Sequence, residues 1–332
     1  MAHAAVGLDV GTGQIKMAYS AGKDSVKTAS MRNVFYEIPQ DDTSKEMLKR
    51  LKAPIFEINN RIFLAGNDAF DLAKIFGKEL RRPMQAGVIN ASSENQDAVP
   101  MIGTMVERLM KEAGEPGADG VCGYSCPADP VDVELDSILH RTLIESKLKQ
   151  LGWKPKMTWE GHGVILSELE QEDFTGIGFS LGAGMQNVCC SFKGMPVIYF
   201  SSCRSGDWID QKAASRLKIA TPRATSIKED PNFDLRDPKT LEEITIAAYY
   251  KDVIRYALEH VKRRLMDGKD LPRFNDPVVV VVSGGTAKVK GVIEIFQEVF
   301  GQLQFPVKVK EFRLAKDPIF AAARGALVNA ML

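Results

Sequence analysis

The stretch Val6-Gly7-Leu8-Asp9-Val10-Gly11-Thr12-Gly13-Gln14-Ile15-Lys16 decides how the rest of the chain is read. An apolar run ends on an aspartate, turns through Gly-Thr-Gly and resumes as Gln14-Ile15-Lys16-Met17-Ala18-Tyr19. Gly11 and Gly13 are expected to supply positive φ and to let backbone N–H groups approach an anion closely. The residues after the turn read as a second strand, not a helix. That argues against a P-loop, in which a longer glycine spacing precedes a Lys-Ser/Thr pair opening a helix. A phosphate held between two strands of a hairpin leaves Asp9 at a strand end, where it can organise a hydrated Mg²⁺. Lys16 then supplies the point charge for the phosphates. Taken alone, the same pattern also describes a plain tight turn.

Its weight comes from recurrence. Phe179-Ser180-Leu181-Gly182-Ala183-Gly184-Met185-Gln186 repeats the order strand, Gly-rich turn, strand, and Val278 to Val282 runs into Ser283-Gly284-Gly285-Thr286. Two hairpin loops facing each other, with a strand-to-helix glycine pair, would clamp a nucleotide. These three stretches resemble the first phosphate, second phosphate and adenosine motifs of the actin, heat-shock-chaperone and sugar-kinase ATPase superfamily. Residues 9–16 and 283–291 are similar to actin's own versions, and the spacing is nearer to bacterial actins of the MreB and MamK type.

The resemblance spans nearly the whole chain. It implies an α/β protein with an actin-like (ribonuclease H-like, duplicated) fold, two α/β domains around a nucleotide cleft. Domain I would be residues 1–175 plus 315–332, with 31–90 a small outer subdomain; domain II would be 176–314, with about 211–275 outer. It also implies ATP or ADP with Mg²⁺ as ligands: Asp9 for the metal, Gly11, Thr12, Gly13, Lys16, Gly182, Ala183 and Gly184 for phosphates. Gly284, Gly285 and Thr286 would meet the adenosine, as would Lys262 and Glu259 on the last turns of a long helix; Glu259 and Arg263 equally suit an i,i+4 surface pair. In Ser205-Gly206-Asp207-Trp208-Ile209-Asp210, Gly206 would approach the nucleotide and Asp207 its ribose or phosphate side, or Asp207 is an N-cap. Glu160 sits where MreB-type proteins carry the Glu of a Glu-Pro pair, with Gly161 replacing the proline. A carboxylate there orients the attacking water, or it only complements the dipole of the following helix. Asp9 and Lys16 complete the catalytic set.

Length and composition fit. The chain of 332 residues exceeds one compact core, and 43 basic residues balance 43 acidic ones, so charge makes no case for nucleic acid or an anionic membrane. Val6 begins a strand at once, leaving no room for a signal peptide, and no apolar run reaches the length of a membrane span. Cys122, Cys126, Cys189, Cys190 and Cys203 read as reduced cytoplasmic thiols, and His3, His140, His162 and His260 form no metal or triad pattern.

Elsewhere the pattern is more ordinary. Asp24 to Pro39 reads as mixed strand and loop, Gln40 to Lys52 as a charged helix ended by Pro54, Ile55 to Leu64 as a hairpin turning at Asn59-Asn60, and Gly66 to Phe76 as helical. Pro100 to Ala113 is an amphipathic helix and Gly120 to Cys126 a core strand. Asp129-Pro130 starts a helix burying Leu135, Ile138, Leu139 and Leu143. Pro222 to Lys239 reads as a loop, and Leu241 to Met266 as a helix with Ile244, Ala247, Ile254, Leu258, Val261 and Leu265 on its buried face. Val289 to Phe300 is a helix, Phe305 to Phe312 a strand, and Asp317-Pro318 opens a final Ala-rich helix.

The function implied is a cytoplasmic, bacterial-type actin homologue that binds ATP, polymerises with itself into filaments and serves an unspecified cargo or regulator. Ser180 and Ala183 stand where the family carries aspartates, which implies slow hydrolysis. The alternative is a non-polymerising nucleotide-binding adaptor or pseudo-ATPase.

Overall fold

The computed structural model describes residues 3–22, 25–39, 41, 46, 50, 55–73, 77, 79–268, 272, 274 and 276–332. β1 (His3–Val10) and β2 (Gln14–Gly22) form the expected antiparallel hairpin, and β3 (Ser25–Arg32) extends it. β4 (Phe35–Ile38), β5 (Ile55–Ile58) and β6 (Arg61–Ala65) make a separate sheet in the order β4-β6-β5, followed by the short helix α1 (Asn67–Leu72). Asn59 and Asn60 turn it with φ of 50° and 58°, the left-handed pair that a two-residue hairpin loop requires. The charged helix expected over 40–52, and Pro54, lie almost wholly outside the described residues, as do 74–76.

A two-stranded ribbon, β7 (Met84–Gln85) and β8 (Val88–Ile89), leads back towards the first sheet. α2 (Ala98–Met110) buries Ile102, Met105, Val106, Leu109 and Met110, the face its 3.6-residue spacing predicts, and Met101 with them. β9 (Pro116–Cys126) runs parallel to β1; α3 (Ile138–Gln150) and β10 (Lys154–Trp159) come next, then α4 (Glu160–Glu168). The sheet order is β10-β9-β1-β2-β3.

The second half repeats this plan. β11 (Gly176–Leu181), β12 (Gln186–Phe192) and β13 (Met195–Ser202) form the meander, and α5 (Gly206–Leu217), α6 (Thr221–Lys228) and α7 (Leu241–Asp267) come after it. β14 (Val278–Ser283) pairs parallel to β11; then come α8 (Val292–Gln302), β15 (Val309–Leu314) and α9 (Ala321–Met331). The order β13-β12-β11-β14-β15 matches β3-β2-β1-β9-β10 strand for strand. The fold is a duplicated α/β unit.

The valines of β14 show how the halves join. Val278, Val280 and Val282 pack into the core beneath α7 and α8, whereas Val279 and Val281 pack against Val164 and Ile165 of α4. Successive strand residues face opposite ways, so one unbroken apolar run serves two cores. α9 packs backbone to backbone on the first sheet and α4. A Cβ on Gly123 would lie 1.8 Å from the Ala326 carbonyl oxygen, and one on Gly325 would lie 1.7 Å from that of Gly163.

Several expected boundaries move. No helix begins at Asp129-Pro130: Pro130 bridges to Ser201, and α3 starts at Ile138. Asp129 accepts from the Ser137 N–H and hydroxyl, and Asp136 accepts from the Ile138 N–H, so two aspartates set the helix start. Ile138 and Leu139 are exposed, and His140, Ile144 and Leu148 form the buried face. The 222–239 loop instead contains α6, with Pro222 in its first turn. The buried face of α7 is Ile246, Tyr250, Val253, Ile254, Ala257, Leu258 and Val261, and Ile244 is half exposed. α8 starts at Val292 and β15 at Val309. Asp317-Pro318 is a turn before α9, because the Pro318 carbonyl accepts from Gly284 N–H at 2.7 Å.

The backbone contact of α9 with α4 makes a stability prediction. Gly325→Ala should destabilise the protein by about 3 kcal/mol or more, since neither helix backbone can yield. Gly301→Ala, inside α8 with nothing within 4 Å of its Cβ, should leave stability unchanged or raise it by up to about 1 kcal/mol. Denaturant unfolding of both variants checks the contrast.

Candidate functional site

The two Gly-rich turns face each other across a cavity of about 590 Å³ lined from both sheets. In the first turn, Gly11 N–H donates to Gln14 carbonyl at 3.0 Å, which closes the hairpin and brings Asp9 and Lys16 into register. Lys16 Nζ lies 2.5 Å from Asp9 Oδ2, and Ser125 on β9 donates to Asp9 Oδ1 at 2.8 Å. Asn33 fixes the loop from behind, its Nδ2 donating to Gly11 carbonyl at 2.9 Å. Contrary to expectation, neither Gly11 nor Gly13 has positive φ. Space is tight only at Gly11, where a Cβ would lie 3.2 Å from the Gln14 carbonyl; one on Gly13 would make an ordinary contact with Ala183 at 3.4 Å.

The second turn is built alike, with Gly182 N–H donating to Met185 carbonyl at 2.9 Å. Ser180 occupies the place of Asp9, and Asn187, opposite it, the place of Lys16. The turns nearly touch. A Cβ on Gly184 would fall 2.4 Å from Thr12 Oγ1, which accepts from Gly87 N–H at 3.0 Å. Nearer the mouth, Arg82 Nη1 meets Asp207 Oδ2 at 2.8 Å.

Glu160 is the first residue of α4 and points into the cavity. Asn187 Nδ2 donates to its Oε2 at 2.8 Å and Ser180 Oγ at 3.4 Å. Burial, then the nearby Asp9 carboxylate, push the Glu160 carboxyl up to about 8, against the pull of Lys16 and Ser180. For Lys16, burial acts to lower the ammonium pKa, but Asp9 beside it and Glu160 further off outweigh this and hold it above its ordinary value.

At the other end, β14 delivers Gly284, Gly285 and Thr286 to the wall. Gly284 has φ of 97°, and a Cβ there would strike Leu181 carbonyl at 2.2 Å; Gly285 opens freely, with only Ile319 at 3.8 Å. α6 supplies Thr225 and Lys228. Lys228 Nζ pairs with Asp210 at 2.7 Å and donates to Gly206 carbonyl at 3.0 Å. Tyr250 closes the floor, donating to Thr286 carbonyl at 3.1 Å.

Asp9, Gly11, Thr12, Gly13, Lys16, Glu160, Gly182, Ala183, Gly184, Asp207, Gly284, Gly285 and Thr286 therefore line one cavity. Three expected residues do not. Gly206 is packed against Thr286 and Gly182, where a Cβ would lie 2.5 Å from Thr286 Oγ1. Glu259 and Lys262 sit further along α7 than Tyr250 by roughly 14 and 18 Å at the helical rise, away from the cavity lining. Arg263 instead contacts the His260 ring. Sequence reasoning missed Asn187, Ser125 and the Lys228–Asp210 pair. The seven-residue offset that separates Asp9 from Lys16 also separates Ser180 from Asn187, and it could have found the first.

Among the described residues no group of three or more His, Cys, Asp or Glu side chains is set to hold a metal ion. Burial pushes the Cys126 and Cys190 thiols up to about 12, so they behave as packed apolar groups. No helix of the described residues is long and apolar enough to cross a membrane.

A family model described as Volactin matches residues 4–330. The chain belongs to the Volactin family. A search of curated proteins finds no match. Among solved structures, this Volactin-family chain is similar to a MamK double helical filament at 18% identity, covering 99% of this chain and 98% of that one, with a TM-score of 0.73. MreB5 of Spiroplasma citri bound to AMPPNP gives 15% identity, 97% and 94% coverage and a TM-score of 0.64. The ethanolamine utilization protein EutJ from Carboxydothermus hydrogenoformans gives 16%, 98% and 89%, and 0.53. The fold is actin-like, of the MreB and MamK type.

α3 carries a buried histidine, within reach of the Asp9 charge, whose burial has a measurable consequence. His140 is 1% exposed, neither ring nitrogen finds a partner among the described residues, and burial lowers its pKa to about 4 against a weak upward pull from Asp9. The folded state keeps it neutral, so its stabilising effect is complete above the unfolded value near 6.5 and is lost as pH falls towards 4. The loss should reach about 3 kcal/mol, and His140→Leu should remove that part of the acid slope. Unfolding free energies of both proteins between pH 7 and 4.5 test it.

Proposed function

We propose that this chain is an ATP-binding, actin-like cytoskeletal protein that assembles with itself into filaments and hydrolyses ATP slowly. The observation that carries the reading is the pair of Gly-rich turns facing each other over one cavity, with Lys16 at one end and the open Gly285 wall at the other. The likeness to a MamK filament and to MreB5 with AMPPNP or ADP supports it. In this reading residues 1–175 with 315–332 form one domain and 176–314 the other, with 31–90 and about 211–275 as outer subdomains. The return of α9 onto the first sheet supports that division. The protein acts in the cytoplasm, towards a cargo or regulator.

Lys16 and the backbone N–H groups of 12–13 and 183–184 hold the phosphates, those of Gly11 and Gly182 being taken by the Gln14 and Met185 carbonyls, and Glu160 orients the attacking water. Mg²⁺ fits the donor set. It keeps several waters and asks for one or two carboxylates beside the phosphates, not a three-residue cage. Asp9 and Glu160 both reach the cavity, and each Asp9 oxygen keeps a lone pair beyond those used by Ser125 and Lys16. The ion would neutralise charge developing on the phosphates. Ser180 and Ala183 offer no carboxylate, which underlies slow turnover and favours, as a second reading, a non-polymerising adaptor or pseudo-ATPase.

One measurement tests the nucleotide site that both readings share, and a second separates them. Gly285→Val adds a side chain only to the cavity wall, so the fold should persist while calorimetric ATP–Mg²⁺ affinity falls at least about a hundredfold. Wild-type protein should scatter light and show filaments by electron microscopy with ATP but not without it. Bound nucleotide with no assembly at high concentration would leave the adaptor reading.

A further inference from the structure

Asn187 is 3% exposed, lines the cavity and has both ends of its carboxamide engaged. Its Nδ2 donates to Glu160 Oε2 at 2.8 Å, and its Oδ1 accepts from the hydroxyl of Ser201 on β13. The Ser201 carbonyl in turn accepts from Val131 N–H at 2.9 Å. A line of hydrogen bonds thus runs from a buried part of β13 to a carboxylate on α4. Glu160 has three free torsions and sits at a helix N-terminus, where unpaired N–H groups compete for it. Both side-chain donors converge on Oε2, which leaves Oε1 to accept from a water in the cavity.

We propose that Asn187 is a positioning residue for ATP hydrolysis, acting through Glu160. In that step the water oxygen bonds to the γ-phosphorus while the bond to the β,γ-bridging oxygen breaks. The electron pair leaves on ADP, and the water's proton passes to Glu160 or to the released phosphate. Asn187 never touches the reacting atoms. It keeps Glu160 aimed at the water and away from the α4 backbone. It stands on β12, on which α4 packs so closely that a Cβ on Gly161 would lie 2.7 Å from the Cys189 nitrogen, and this packing holds the alignment. The proposal rests on the reading of Glu160 given above.

A double-mutant cycle tests it, with phosphate release giving kcat and KM and calorimetry giving the ATP–Mg²⁺ Kd. Asn187→Leu, close in size but without a donor, should lower kcat about 10- to 100-fold and leave Kd within about twofold. Asn187→His, which restores an N–H, should recover part of the rate. Ser201→Ala, outside the cavity, should give a smaller loss in kcat alone. In a Glu160→Ala background, Asn187→Leu should cost nothing further. A wild-type kcat in Asn187→Leu, a loss that appears in Kd, or additive losses in the double variant would each overturn the proposal. A wild-type kcat in Glu160→Ala would instead overturn the assignment of Glu160, and the proposal with it.

Discussion

Two carboxylates, buried Asp9 and part-buried Glu160, act on one part-buried cation, Lys16. Taking such charges out of water is costly unless each lone pair and proton finds a partner. Most of the surrounding structure supplies those partners: Ser125 to Asp9, Asn187 and Ser180 to Glu160. Desolvation, and after it the Asp9 charge, still push the Glu160 carboxyl up. A site that strains its own charges in this way is poised to accept another cation or a proton-bearing ligand.

The partners come from opposite halves of the molecule. Asp9, Lys16 and Ser125 stand on the first sheet; Ser180 and Asn187 stand on the second; Glu160 heads the helix packed between them. Gly87 N–H on Thr12, Thr12 against Gly184, and Arg82 with Asp207 add further contacts at the same seam. The charge cluster therefore draws on both sheets, while Glu160 is held beside its own donors because α4 packs backbone to backbone on β12, where a Cβ on Gly161 would lie 2.7 Å from the Cys189 nitrogen.

Duplication explains how one chain builds so symmetrical a frame for so asymmetric a site. Both halves use the same strand order and the same turn closure, yet the equivalent positions hold different chemistry: Asp9 with Lys16 on one side, Ser180 with Asn187 on the other. One hairpin carries charge and the other carries neutral donors.

The sequence by itself determined the α/β class, the hairpin turns, the Asn59-Asn60 loop and the α2 face, because each depends on residues within a few positions of one another. It also announced the cavity through three glycine-bearing stretches. Contacts between distant segments decided the rest. Pro130 pairs with Ser201, so α3 starts later than its proline suggests, and Gly284 takes the Pro318 carbonyl, so α9 does too. Gly206, Glu259 and Lys262 have local surroundings suited to a ligand but face packed backbone or lie too far along a rigid helix. Asn187 shows the converse: its seven-residue offset from Ser180 marks its place opposite that strand, but only the approach of α4 to β12 makes its amide a partner for Glu160. Local pattern fixes an element, but the direction in which a side chain meets another is set by packing over the whole chain.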